Sequence, residues 1–296
     1  MYPTGPERSR APLALVLAAL VAVLLTTSGT ARAAWDQIAR VLSLEGKPEP
    51  ASANVLSEHH LEALDSMAPQ AQAEFLLERS INHYEGANRQ IEARLAAWRG
   101  LIEPGERFET LFRMAINSDD LRVRAAAIEI DIVARKLEKN AETVDRLEPI
   151  ARTGAQGARA NALWNLGLVG GRGVEQERIL AIILGSVHDD NVNIRYWAVE
   201  ALAYLATDEI IDPLLDIFHD DPSPMIRERA ACSLAQSGML NREQRMRALP
   251  RLLDFAGDGA LDEQTRSWVF QALRDITGEH LPRDADAWRA WYRNLR

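Results

Sequence analysis

A chain of 296 residues with 47% apolar but only 6% aromatic content has ample material for a long core, and its abundant Ala and Leu with few strand-like alternations predict helices. The net charge of −9 repels phosphate backbones and anionic lipid, which argues against a nucleic-acid groove. A single cysteine, Cys232, excludes an intramolecular disulfide and reads either as a buried, inert thiol or as one available for intermolecular pairing.

In chain order, the first predicted element is an export signal over residues 1–33. Arg8 and Arg10 precede an apolar run from Leu13 to Leu25, and Ala31-Arg32-Ala33 places small residues where a signal peptidase reads. The alternative is a retained membrane anchor, with membrane contact confined to residues 11–31. Cleavage after Ala33 deletes three arginines and one glutamate, leaving 31 basic against 42 acidic residues, near −11. Residues 34–56 read as a linker around Lys47-Pro48-Glu49-Pro50, a stretch that resists regular structure.

From Ser57 the pattern is helical almost without interruption. Its breaks, such as Pro104-Gly105, Ser118 to Asp120, Arg152 to Gly157, Gly170 to Gly173 and Asp220 to Pro224, carry the Gly, Pro, Asp and Asn of caps and turns. Along this region six arginines recur in one setting. Arg94, Arg124, Arg159, Arg195, Arg227 and Arg266 are separated by 30, 35, 36, 32 and 39 residues. Three positions after each stands a small apolar residue (Ala97, Ala127, Ala162, Ala198, Ala230 or Val269). Seven after it, in five units, stands Leu101, Leu166, Leu202, Leu234 or Leu273. A period in the thirties with helical spacing inside each unit predicts a stack of helix pairs. At about 100° per residue, positions −1, +3, +6 and +7 form the buried seam.

These units resemble HEAT repeats, most closely from Pro213 to Leu234, where Pro213 matches the first-helix proline, Asp221 the turn aspartate and Ile226-Arg227 the pair opening the second helix. The preceding unit matches at Asp189, Ile194 and Arg195. Gly154 replaces the acid before Arg159, and Arg94 has none in the expected place. The resemblance implies an all-α, right-handed α-α superhelix over residues 57–278. It also implies a structural ladder in which Asp189, Arg195, Asp221 and Arg227 join successive units. Residues 279–296, with Trp288 and Trp291-Tyr292, resemble the closing segment of bacterial envelope proteins built from such repeats and are expected to cap the last pair.

Catalytic signatures are missing from the sequence. There is no His-Glu-x-x-His and no His-Glu pair of the kind used by iron-dependent HEAT-repeat hydroxylases. There is also no Gly-x-Ser-x-Gly, and the glycine-rich stretch Gly167 to Gly173 follows a helix and reads as a turn. His59-His60 beside Glu58 and Glu62 reads as a solvated helix start rather than a metal site. The expectation is no catalysis, no cofactor and no metal. An enzyme of the phycobilin-lyase or metal-dependent hydroxylase type is the alternative.

Opposite the seam, positions +1, +5 and +8 give an exposed ridge of Arg99, Glu129, Trp164, Tyr196, Glu200, Glu228, Cys232 and Gln271. In stacked helix pairs the second helices line the concave face. Trp164 and Tyr196, flanked by Glu200 and Glu228, are therefore the expected partner-binding residues, since large aromatics ringed by charge anchor protein interfaces. Trp197 and Trp268 fall about 90° from the seam and are expected to be half-buried packing residues. The reading is a monomeric scaffold or adaptor for another protein, exported to the cell envelope, periplasmic or secreted.

Overall fold

The computed structural model of the protein describes residues 54–295. The export segment of residues 1–33 and residues 34–53 of the expected linker lie outside the described residues. Asn54 to Leu56 are not linker. The Leu56 N–H donates to the Glu85 carbonyl at 3.2 Å, and the Glu85 N–H to the Asn54 carbonyl at 3.0 Å, which ties the entering chain to the loop after the second helix.

Among the described residues the regular structure is helical, apart from that single bridge. After the short α1 (Glu58–Asp65) come six helix pairs: α2 (Pro69–Ile81) with α3 (Ala87–Trp98), α4 (Glu106–Ile116) with α5 (Leu121–Ala134), α6 (Ala141–Thr153) with α7 (Gln156–Gly170), α8 (Gln176–Leu184) with α9 (Val192–Leu205), α10 (Ile211–Asp220) with α11 (Pro224–Ala235), and, after the short α12 (Arg242–Met246), α13 (Leu249–Ala256) with α14 (Glu263–Thr277). The last helix, α15 (Ala285–Arg293), packs on α13. There Trp288 is fully buried and its indole donates to the Pro282 carbonyl at 3.0 Å. Local chemistry explains the boundaries. Asp120, Asn191 and Asp262 cap α5, α9 and α14 by accepting from backbone N–H groups at 2.8 to 2.9 Å, satisfying donors that have no partner inside the helix. Pro213 lies in the first turn of α10, where the missing N–H leaves nothing unpaired.

The arginine series forms the expected ladder over its central units. Arg159 donates to Asp189 at 2.6 Å, Arg195 reaches Asp221 with two nitrogens at 2.8 and 3.1 Å, and Arg227 reaches Asp262 at 2.9 Å. Each of these arginines also holds a carbonyl of its own unit: Arg195 holds Asp189 at 2.9 Å and Arg227 holds Asp221 at 2.8 Å in the turn, and Arg159 holds Ala151 of α6 at 3.1 Å. The aspartates have a second task as well. Asp189 accepts from the Asn191 N–H and Asp221 from the Ser223 N–H, shaping the turn that starts the second helix. One residue therefore sets both the turn and the link to the preceding unit.

The ladder stops at Arg124 because its next unit offers Gly154 instead of an acid. The guanidinium bonds the Ser118 carbonyl and also the carbonyls of Gln236 at 3.1 Å and Gly238 at 2.7 Å, beyond the end of α11. Units of an open stack touch only their neighbours, yet this contact joins the second pair to the fifth. A second tie runs from Arg172, after α7, to Glu129 at 2.5 Å and to the Ala125 carbonyl at 3.3 Å. Together they set α5 across the C-terminal ends of α7 and α11, and most of α5 is buried, including its polar Arg124 and Asp131. The expected open concave face is thus partly filled by the chain's own second pair.

Close helix approach explains a glycine that the sequence reading placed in a turn. α7 runs through Gly167 to Gly170, and a Cβ on Gly167 would lie 2.6 Å from the Ala201 carbonyl oxygen of α9. Only hydrogen fits there. Gly238, with φ of 74°, likewise lies against the backbone of Ala203, and the Met239 N–H donates to the Ala203 carbonyl at 2.9 Å.

Between the last two pairs, His219 of α10 places Nδ1 2.5 Å from Asp220 and Nε2 2.9 Å from Asp258. Burial alone would lower its pKa, but the two carboxylates outweigh burial and hold the imidazole above its ordinary value. A raised folded-state pKa gives stability that is complete below the unfolded value and is lost as the pH rises through the folded one. The urea midpoint of the wild type is expected to fall as the pH climbs from below 6.5 toward the alkaline side. The His219→Gln variant should lack this component, and equal pH profiles for the two proteins would refute the assignment.

Candidate protein-interaction face

The four residues expected to bind a partner do not form one surface. Trp164 is half-buried, edge-to-face with Tyr204 at 4.8 Å, Trp197 at 5.9 Å and Phe112 at 6.5 Å. Its indole lies near Asp131 and favours the charged form of that carboxyl. Glu200 is only 7% exposed. It lies 2.5 Å from Arg229 Nε, although the directed hydrogen bond comes from Nη2 at 3.2 Å. Burial lifts its carboxyl above the usual range, while Arg229 and the Tyr196 phenol pull it back. The ridge reading fails for both because a helical wheel assumes cover on one side. Here α4 and α5 close over Trp164, and α11 supplies Arg229 to Glu200.

Asp131 shows the same enclosure. It occupies position +7 after Arg124, where the other units carry leucine. It is fully buried, and desolvation raises its pKa to about 6 against the opposing bonds from Arg135. Arg135, which remains partly exposed, bonds both Asp131 and Glu109. The first unit departs further. Ala93, Ala97 and Leu101 of the expected seam are exposed, whereas Ile91, Trp98 and Ile102 are buried. Arg94 turns back to Asp65 at 2.6 Å.

Glu129 of the ridge is held by Arg172, and the ridge stays open only toward its C-terminal end. Tyr196 is half-buried on Trp197, with ring centroids 5.6 Å apart, and its phenol meets Glu200. Glu228 is exposed. Beside it a shallow groove, open to solvent, runs between α11 and α14. Glu228, Cys232 and Gln236 line one wall, Trp268, Gln271 and Asp275 the other, over a floor of alanines. Spacings of three and four residues put each trio on one helix face. Glu228, Cys232 and Gln271 were legible as ridge positions. Trp268 is half-buried against the core, as expected, but it also borders the groove, which the wheel of a single helix does not reveal.

His60, adjoining His59 in sequence, accepts from the Ser57 N–H at 3.2 Å as the capping partner of α1. Among the described residues no group of three or more His, Cys, Asp and Glu side chains is arranged to hold a metal ion. Nor is any described helix long and apolar enough to cross a membrane.

The sequence pattern of the family described as HEAT repeats matches residues 144–235 and 177–274. No curated protein matches the chain. Solved structures with likeness include the crystal structure of an engineered protein, at 15% identity, covering 74% of this chain and 95% of that one with a TM-score of 0.33. They also include a designed armadillo repeat protein, at 16% identity, covering 81% and 99% with a TM-score of 0.33. Those scores are too low to define a common fold.

Proposed function

We propose that this chain, whose matched HEAT repeats run from residue 144 to residue 274, is a noncatalytic scaffold. In this reading it binds another protein through the open part of its second-helix face, formed by α9, α11 and α14. The observation that carries the reading is the groove between α11 and α14, bordered by Trp268 and Glu228 and continuous with helices whose other sides are committed to packing. A half-buried aromatic beside small residues and exposed charge is the composition of an interface anchor. Tyr196 and Glu228 belong to this face, while Trp164 and Glu200 support it from within. The export signal in residues 1–33 directs the scaffold to the cell envelope, where it acts as a monomer.

A photo-crosslinking residue at Gln271 is expected to yield covalent adducts with a discrete partner in intact cells. The same residue at Glu177, exposed on α8, should yield none. Identical adducts from both positions, or none from Gln271, would remove the basis for the reading. The mass of the N-terminal peptide tests export separately, because cleavage gives a chain starting at Ala34.

A further inference from the structure

The chemistry of the groove restricts what it receives, an inference that rests on the scaffold reading. Its acids lie at opposite ends. Gln236 donates to Asp275 at 2.7 Å, so the C-terminal part of α11 faces Asp275, while Glu228 lies two turns earlier on α11. Two nearby bases are held by other groups. Arg229 pairs with Glu200, and Arg245 donates to the carbonyls of Ala235, Gln236 and Leu240. Among the described residues neither Glu228 nor Asp275 makes an ion pair within 4.0 Å. The field of these acids reaches the wall between them. Burial first, and then Glu228 and Asp275, raise the pKa of the Cys232 thiol, against the pull of Arg229. Between the acids stand the Trp268 ring and Ala231, Ala235 and Ala272.

We propose that the groove binds a basic segment of the partner protein, with arginine or lysine heads meeting the carboxylates of Glu228 and Asp275 and alkyl stems lying over Trp268 and the alanine floor. Long basic side chains suit such a site because their stems are apolar while their heads favour both carboxylates and the face of an indole. Complementary charge on a chain of net charge −9 also speeds encounter with a basic partner.

Cys232, the only cysteine, reports occupancy. A hexa-arginine peptide at saturation is expected to slow alkylation of Cys232 by N-ethylmaleimide about tenfold in the full chain, and hexa-glutamate should leave the rate unchanged. In the double variant Glu228→Gln with Asp275→Asn, which keeps both side-chain shapes at exposed positions, the protection should disappear while the thermal midpoint holds. No protection in the wild type, or equal protection in the double variant, would overturn the proposal. The Gln271 crosslinks separate the two readings. Adducts that form without hexa-arginine protection leave the scaffold standing and remove the basic ligand, whereas absent adducts remove the scaffold itself.

Discussion

Arg195→Ala is expected to lower folding stability by about 3–5 kcal/mol, the cost of breaking a buried ion pair by removing one partner. The side chains of Arg195 and Asp221 are only 10% and 4% exposed, and two nitrogens of the guanidinium meet the carboxylate. Loss of the cation leaves Asp221 buried with only the Ser223 N–H to satisfy it, and it frees the Asp189 carbonyl as well. Arg195→Lys should recover little, because a single ammonium cannot reproduce the fork. At the end of the ladder Arg227→Ala should cost less, about 1–2 kcal/mol, since its partner Asp262 is 51% exposed. Urea unfolding of the three variants checks the order. An Arg195→Ala protein no less stable than Arg227→Ala would show that the ladder carries no gradient of burial.

Arg124→Ala is the second large effect, expected at about 2–3 kcal/mol from buried carbonyls left without donors. Its signature is local as well as global. Arg124 and Arg245 both donate to carbonyls closing α11, where the helix dipole is negative and favours cations. Neither has a carboxylate partner within 4.0 Å among the described residues, and burial lowers the pKa of both, Arg245 to about 10 with the charge of Arg124 contributing. Removing Arg124 should therefore raise amide exchange at the start of α5 and in residues 236–240, while α13 to α15 keep wild-type protection. Uniform loss of protection across the molecule would mean that the contact is ordinary packing and not a clasp between the second and fifth pairs.

Much of the architecture was legible because it rests on local rules. Aspartate or asparagine before α5, α9 and α14, proline in first turns and apolar residues at helical spacing specify a helix and its ends without reference to the rest of the molecule. The ladder was implied by the resemblance to HEAT repeats, and its partners do occupy equivalent places in adjacent units, as Arg195 and Asp221 do. Where the repeat lost its acid the prediction failed. Arg94 reaches back to Asp65, and its unit buries Trp98 in place of Leu101. The candidate site was legible only in part. Glu228, Cys232 and Gln271 lie where the wheel put them, but Trp164 and Glu200 face other helices.

The sequence by itself determined the helices, their order and the polar breaks between them, because each depends on residues within one unit, and the resemblance to HEAT repeats supplied the arginine links of the central pairs. Only the tertiary structure decided that α5 lies across the ends of α7 and α11, that Glu200 is buried and Trp164 half-buried against α4 and α5, and that a groove opens between α11 and α14. Those outcomes depend on contacts such as Arg124 with Gly238, more than a hundred residues apart. A hydrophobic period shows which side of a helix avoids water, but it carries no information on which distant segment covers the other side.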